Sequence, residues 1–148
     1  MTPAEGTIEG KAHLYPLRVY YEDTDAGGIV YHASYLRFAE RARTEMLRCL
    51  YFPHSDLIQR NGVMLVVRGL EIEYVRPARL DDALEVRTRL KAIGGASLKL
   101  SQDVGVIGAG DGHICARMLV RLACIDSGGR PMRLPDDFAK AAALLVQT

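Results

Sequence analysis

Four side chains able to carry or exchange charge fall within eleven residues: Glu22, Asp23, Asp25 and His32, with Gly27 and Gly28 between them. The glycines free the backbone for a compact turn, and an apolar helix is predicted from Ser34 onward. A helix N-terminus presents unsatisfied N–H groups and a partial positive charge. It can polarise a carbonyl and hold the oxyanion of a tetrahedral intermediate. A carboxylate opposite that terminus can attack the carbonyl or activate water against it. Asp25 is close enough along the chain to do either. The same residues have a structural use as well: Asp23 or Asp25 can cap the turn or the helix, and His32 can serve as a hydrogen-bonding residue.

Other chemistries have less behind them. Asp23, Asp25 and His32 include oxygen and nitrogen donors, but no HExxH motif or paired Cys/His spacing accompanies them, so no metal is expected. A GxSxG nucleophile elbow is absent. Cys49, Cys115 and Cys124 show no CxxC spacing and form an odd set. Free thiols in a reducing compartment, the cytoplasm, account for them.

The elements that must position these groups follow from periodicity. Leu14 to Tyr21 alternates as a strand, after a loose polar leader over residues 1–13. In the helix from Ser34, Tyr35, Ala39, Ala42, Met46 and Cys49 share a face, and Leu36, Phe38 and Leu50 widen it, so it demands burial on several sides. Ser55 is expected to cap a short helix over residues 56–60, ended by Asn61-Gly62. Four long strands follow, within residues 63–75, 84–90, 98–106 and 114–124, each with one apolar and one mixed face. Turns are expected at residues 76–82, at Gly94-Gly95 and across the glycine-rich residues 108–112. Asp136 is expected to cap a terminal helix. The order predicts an α+β domain, residues 14–148, whose antiparallel sheet curls around the first helix. The Arg-rich outer face of the sheet also carries Val75, Leu119 and Ile125, which points to contact with a symmetric partner.

Composition agrees with a single globular domain: 148 residues, 49% hydrophobic and 25% charged. Nineteen basic against eighteen acidic residues leave a net charge of +1, without the basic excess of a nucleic-acid binder. No secretory signal or transmembrane segment is expected.

The stretch Val19 to Leu47, VYYEDTDAGGIVYHASYLRFAERARTEML, closely resembles the YbgC-type acyl-CoA thioesterases, which are associated with the bacterial Tol-Pal system. These belong with the 4-hydroxybenzoyl-CoA thioesterase group of hot-dog proteins. The resemblance continues through YVRPARLDD at Tyr74 to Asp82 and GASL at Gly95 to Leu98, and covers most of residues 14–135. It implies a hot-dog fold and thioester hydrolysis without a cofactor, in homodimers often paired into tetramers, with active sites at the subunit interface. It implies Asp25 as the catalytic carboxylate, with the His32 N–H facing the thioester carbonyl and the His32 side chain assisting. Tyr21, Gly28, Tyr31 and Ser97 lie in the matched segments and are expected to contact substrate. Arg89, Lys91 and Arg130, with Lys99 and Arg133, are candidates for the phosphates of coenzyme A. A related hot-dog branch uses a helix glutamate, which makes Glu40 the competitor to Asp25; here Glu40 is expected to pair with Arg43 or Arg37 instead.

Two further readings stay open from sequence. One is a hot-dog hydratase acting on acyl thioesters. The other is an envelope-linked adaptor that binds acyl thioesters or acyl-carrier protein without rapid turnover.

Overall fold

The structure, a computed structural model, describes residues 3–108 and 113–147. Six strands form one antiparallel sheet in the order β1-β2-β4-β5-β6-β3. The strands are β1 (Thr7–Glu9), β2 (Ala12–Arg18), β3 (Met64–Tyr74), β4 (Ala83–Ile93), β5 (Ser97–Val106) and β6 (Ile114–Ile125). Three helices accompany them: α1 (Ser34–Cys49), α2 (His54–Asn61) and α3 (Asp136–Ala143). Residues 109–112 of the expected glycine-rich turn lie outside the described residues.

Helix α1 has the breadth of apolar surface its sequence demanded. Tyr35, Phe38, Ala39, Ala42, Met46 and Leu47 are all buried. The inner face of the sheet meets it with Leu84, Val86 and Leu90 from β4, Leu100 and Val104 from β5, and Met118 and Val120 from β6. The side-chain period of two puts these residues on one face and their charged neighbours on the other. Ala39 and Ala42, both with no exposed surface, let the helix backbone approach the sheet closely.

Between β4 and β5 this core takes in two polar side chains, Thr88 and Gln102. Gln102 on β5 is fully buried, and its amide donates to the Ala39 carbonyl at 3.0 Å and the Thr88 hydroxyl at 3.0 Å. Its Oε1 accepts from Arg43 Nη1 at 2.9 Å. Every polar atom of the amide group has a partner, which makes its burial tolerable.

Several local expectations are corrected. The leader is structured in part: Thr7–Glu9 pairs with the start of β2, and the ring of buried His13 bonds the Glu5 carbonyl at 2.8 Å. That pairing satisfies backbone groups that a polar composition alone suggested would meet water. β2 ends at Arg18, three residues early, because the chain turns through a single 3-10 turn at Tyr21–Asp23. The Asp23 carboxylate fixes that turn by accepting the Tyr20 N–H at 2.8 Å.

The helix caps also differ. α2 starts two residues before the expected range, with extended Pro53 as its N-cap, so Ser55 is already helical. Pro135 stands at the N-cap of α3, and Asp136 is its first helical residue. A proline there supplies a backbone already suited to helix entry. The expected end of α2 stands, with Gly62 in the left-handed region at φ 66°. The curved antiparallel sheet around a long helix is the hot-dog arrangement.

Candidate active site

The glycine loop is a closed turn packed against the start of α1. Asp25 N–H donates to the Ile29 carbonyl at 2.9 Å, and Gly28 N–H donates to the Asp25 carbonyl at 3.1 Å. Gly28 has φ 79°, a conformation that glycine adopts without the penalty of a side chain. A second loop, residues 75–82, clamps this turn: Val30 N–H donates to the Ala78 carbonyl at 2.8 Å, and Leu80 N–H to the Gly28 carbonyl at 3.3 Å. The Arg-Pro turn and the glycine turn are therefore one rigid unit.

The two aspartates of Asp-Thr-Asp divide the work of the loop. Asp23 is 5% exposed and structural: its carboxylate holds Tyr20, and its carbonyl accepts from Tyr31 N–H at 2.8 Å and Ser34 Oγ at 3.1 Å. Asp25 is exposed and lines an open cleft of about 460 Å³ with His32, Tyr35, Tyr74, Arg76 and Pro77 among others. Its Oδ1 accepts the Gly27 N–H at 2.8 Å, the Asx turn that the structural reading expected. Its Oδ2 has no hydrogen-bond partner among the described residues.

His32 stands two residues before α1. Among the described residues, the backbone N–H groups of His32 and Ala33 have no acceptor. These are the orphan donors that a helix start provides. The His32 ring packs beside Tyr31, with centroids 4.4 Å apart, and edge-on to Tyr74 at 6.3 Å. Tyr74 Oη donates to the His32 carbonyl at 3.0 Å. Tyr35 forms the floor, its buried hydroxyl accepting the Ala78 N–H at 3.1 Å, and burial raises its pKa above the usual phenol value.

The remaining expected site residues are spread over the protomer. Tyr31 touches His32, whereas Tyr21 projects from the 3-10 turn with 83% of its surface exposed. Ser97 pairs with Ala123 at the start of β5. Arg89 and Lys91 line a depression on the outer face of the sheet, away from the cleft. Lys99 lies opposite Arg121 on that same face. Arg130 belongs to the turn after β6, where its N–H donates to the Asp126 carboxylate at 2.9 Å, and Arg133 lies beside Gly95. No one of these cations reaches the Asp25 cleft of its own chain. Arg76 does, and sequence reading missed it because Arg-Pro was taken only as turn chemistry. Val75, expected on the outer sheet face, also lines the cleft, since the chain has left β3 at Tyr74.

Glu40 lies elsewhere, at a separate cavity of about 280 Å³ with Arg43, Met46, His54 and Leu122 among its lining. It forms no ion pair within 4.0 Å among the described residues, contrary to the expected pairing. Arg43 is drawn inward to Gln102, and Arg37 turns back to Ser34 Oγ at 2.8 Å. Among the described residues no group of three or more His, Cys, Asp and Glu could hold a metal ion. No helix among them is long and apolar enough to cross a membrane.

Comparison with known proteins identifies the family and the fold. An acyl-CoA thioesterase YbgC of Haemophilus influenzae is 43% identical over 129 residues, covering 86% of this chain and 91% of that protein. An acyl-CoA thioester hydrolase YbgC of Escherichia coli O6:H1 is 54% identical over 90 residues, 61% of this chain. That match spans 66% of the Escherichia coli protein, just under two thirds of its length. The crystal structure of a probable thioesterase from Bartonella henselae superposes with a TM-score of 0.79 at 37% identity, over 84% of this chain and 99% of that one. Residues 19–142 match the family described as the thioesterase-like superfamily, and to that family, in its hot-dog form, this chain belongs.

Proposed function

We propose that the chain hydrolyses acyl-CoA thioesters, with Asp25 as the reacting carboxylate. The observation that carries this reading is the pairing of a carboxylate oxygen without a partner, Asp25 Oδ2, with orphan helix-start N–H groups at His32 beside the same cleft. In this reading the thioester carbonyl lies with its oxygen on the His32 and Ala33 N–H groups, which stabilise the developing oxyanion. Asp25 then attacks the carbonyl carbon, the C–S bond breaks, and the thiolate leaves with the electron pair. Water hydrolyses the resulting anhydride, giving free acid and restoring Asp25. In the general-base variant, Asp25 takes a proton from water instead and the hydroxyl attacks directly. A thiolate needs little protonation to depart, which suits a site with so few acid groups.

Arg76 is the cation at the cleft and is proposed to meet the phosphates or the pantetheine carbonyls of coenzyme A, or of an acyl-carrier protein. The cleft is open on the side of Val75 and Tyr74, both exposed large side chains. A second protomer closing that side would complete the site, so the working unit is proposed to be a homo-oligomer acting in the cytoplasm, with the Tol-Pal link of YbgC-type enzymes as its setting.

The test is release of free thiol from a panel of saturated, aromatic and enoyl acyl-CoAs. Hydrolysis predicts thiol from saturated and aromatic substrates. Consumption of the enoyl substrate without thiol, or tight binding without turnover, would contradict the reading.

A further inference from the structure

The Asp-Thr-Asp segment is joined to the start of α1 through one carbonyl, that of Asp23. It accepts the Tyr31 N–H at 2.8 Å and the Ser34 hydroxyl at 3.1 Å. Ser34 is the first residue of α1 and has no exposed surface. Arg37, three residues on, donates from Nη2 to Ser34 Oγ at 2.8 Å. A serine hydroxyl has one proton to give. With the guanidinium donating to the oxygen, that proton is directed at the Asp23 carbonyl and the rotor is locked. A hydroxyl that accepts such a bond is polarised, and the bond it donates is the stronger for it.

Two features of α1 depart from ordinary helix capping. The N-cap position is Ala33, and no side chain caps the helix start. The Ser34 hydroxyl reaches back to the carboxylate loop, and the N–H groups of His32 and Ala33 are left without an acceptor among the described residues. The first turn also contains no acid, and it is followed by the cation of Arg37, which the positive end of a helix macrodipole disfavours. Arg37 is exposed and has no carboxylate within 4.0 Å among the described residues. Its side-chain partner there is Ser34 Oγ.

We propose that Ser34, its hydroxyl aimed by Arg37, is a positioning residue for thioester hydrolysis. Its bond holds the carboxylate loop to the helix start, so that Asp25 and the donors of His32 and Ala33 meet the same carbonyl group. This role rests on the reading that Asp25 reacts and the helix start carries the oxyanion. Neither Ser34 nor Arg37 lines the cleft, so their loss acts on alignment and not on substrate contact. Misalignment of reacting groups falls on kcat, whereas uniform binding lost from ground and transition states alike falls on KM.

The test is a double-substitution cycle on the full chain, read as steady-state release of thiol from acyl-CoA, with circular dichroism confirming that each variant is folded. Ser34→Ala should lower kcat about tenfold, with KM within about twofold of wild type. Arg37→Met should lower kcat about threefold by freeing the hydroxyl. The double variant should be no slower than Ser34→Ala alone, because Arg37 acts through that hydroxyl. Arg37→Met alters an exposed position, so it decides the matter even where the buried Ser34 substitution does not fold. Unchanged kcat in folded Ser34→Ala or in Arg37→Met, or losses that multiply in the double variant, would each overturn the positioning role while leaving hydrolysis by Asp25 intact. An effect confined to KM would overturn it as well, by assigning these groups to substrate binding. Wild-type kcat in Asp25→Asn would instead overturn the underlying reading, and this role with it.

Discussion

The Tyr74 hydroxyl donates a 3.0 Å hydrogen bond to the carbonyl of His32, which ties the end of the edge strand β3 to the residue that opens the helix start. That carbonyl shares its peptide unit with the Ala33 N–H, one of the two orphan donors. A hydrogen bond accepted by a peptide oxygen polarises the N–H of the same unit. The strand thus fixes the peptide unit that carries the Ala33 donor and strengthens that donor.

Replacing Tyr74 with Phe keeps the ring packed against Tyr35 and His32 and removes only the hydroxyl. A hydrogen bond of this kind is worth about 1 kcal/mol, so kcat should fall by roughly fivefold. Steady-state kinetics should show the loss in kcat, with KM changed less than twofold. An effect confined to KM would place Tyr74 in substrate binding alone.

Asp23 and Asp25 should separate stability from activity. Asp23→Ala removes the acceptor of the Tyr20 N–H inside the fold, and thermal or urea unfolding should register a loss of about 1–3 kcal/mol. Asp25→Asn keeps an acceptor for the exposed Gly27 N–H, so its stability should stay within about 0.5 kcal/mol of wild type.

His13 makes stability depend on acid. Burial lowers its pKa below the usual histidine value, and its Nδ1 is buried without a hydrogen-bond partner among the described residues. The unfolded chain therefore binds the proton more readily than the folded one. Stability is fully present above about pH 6.5, the unfolded value, and declines as the pH falls below it. Burial lowers His54 in the same direction. Urea unfolding at pH 7.5 and pH 5.5 should show the loss, and His13→Gln should flatten that difference.

Gln102→Leu should be among the more damaging core substitutions, although it preserves approximate volume. It strips hydrogen bonds from the Thr88 hydroxyl, from the Ala39 carbonyl and from the Arg43 guanidinium at once. About 2 kcal/mol or more is expected from leaving such groups unpaired, measured as a shift of the urea midpoint. A neutral result would mean that water replaces the amide.

Much of this architecture was legible in the chain. The step from period two to period 3.6 at Ser34 marked α1, and the alternation of Leu84, Val86, Thr88 and Leu90 gave the inward face of β4. The loop chemistry drew attention to Asp25 and His32, which the fold brings to one cleft. What pattern could not supply was long-range pairing. Thr7–Glu9 is too short and polar to announce itself as a strand, and it forms by pairing with β2. Arg76 enters the cleft because the 75–82 loop is clamped to the glycine turn, a contact between segments nearly fifty residues apart. Arg89 and Lys91 were phosphate candidates by strand-end and loop position, and the register is what shows on which face of the sheet they stand.

The most direct measurement compares kcat for thiol release in Asp25→Asn and Glu40→Gln against wild type at saturating acyl-CoA, with folding verified for both. The account predicts a loss of at least about a hundredfold for Asp25→Asn, and a KM-dominated or small effect for Glu40→Gln. Near-wild-type kcat in Asp25→Asn together with abolished turnover in Glu40→Gln would contradict it.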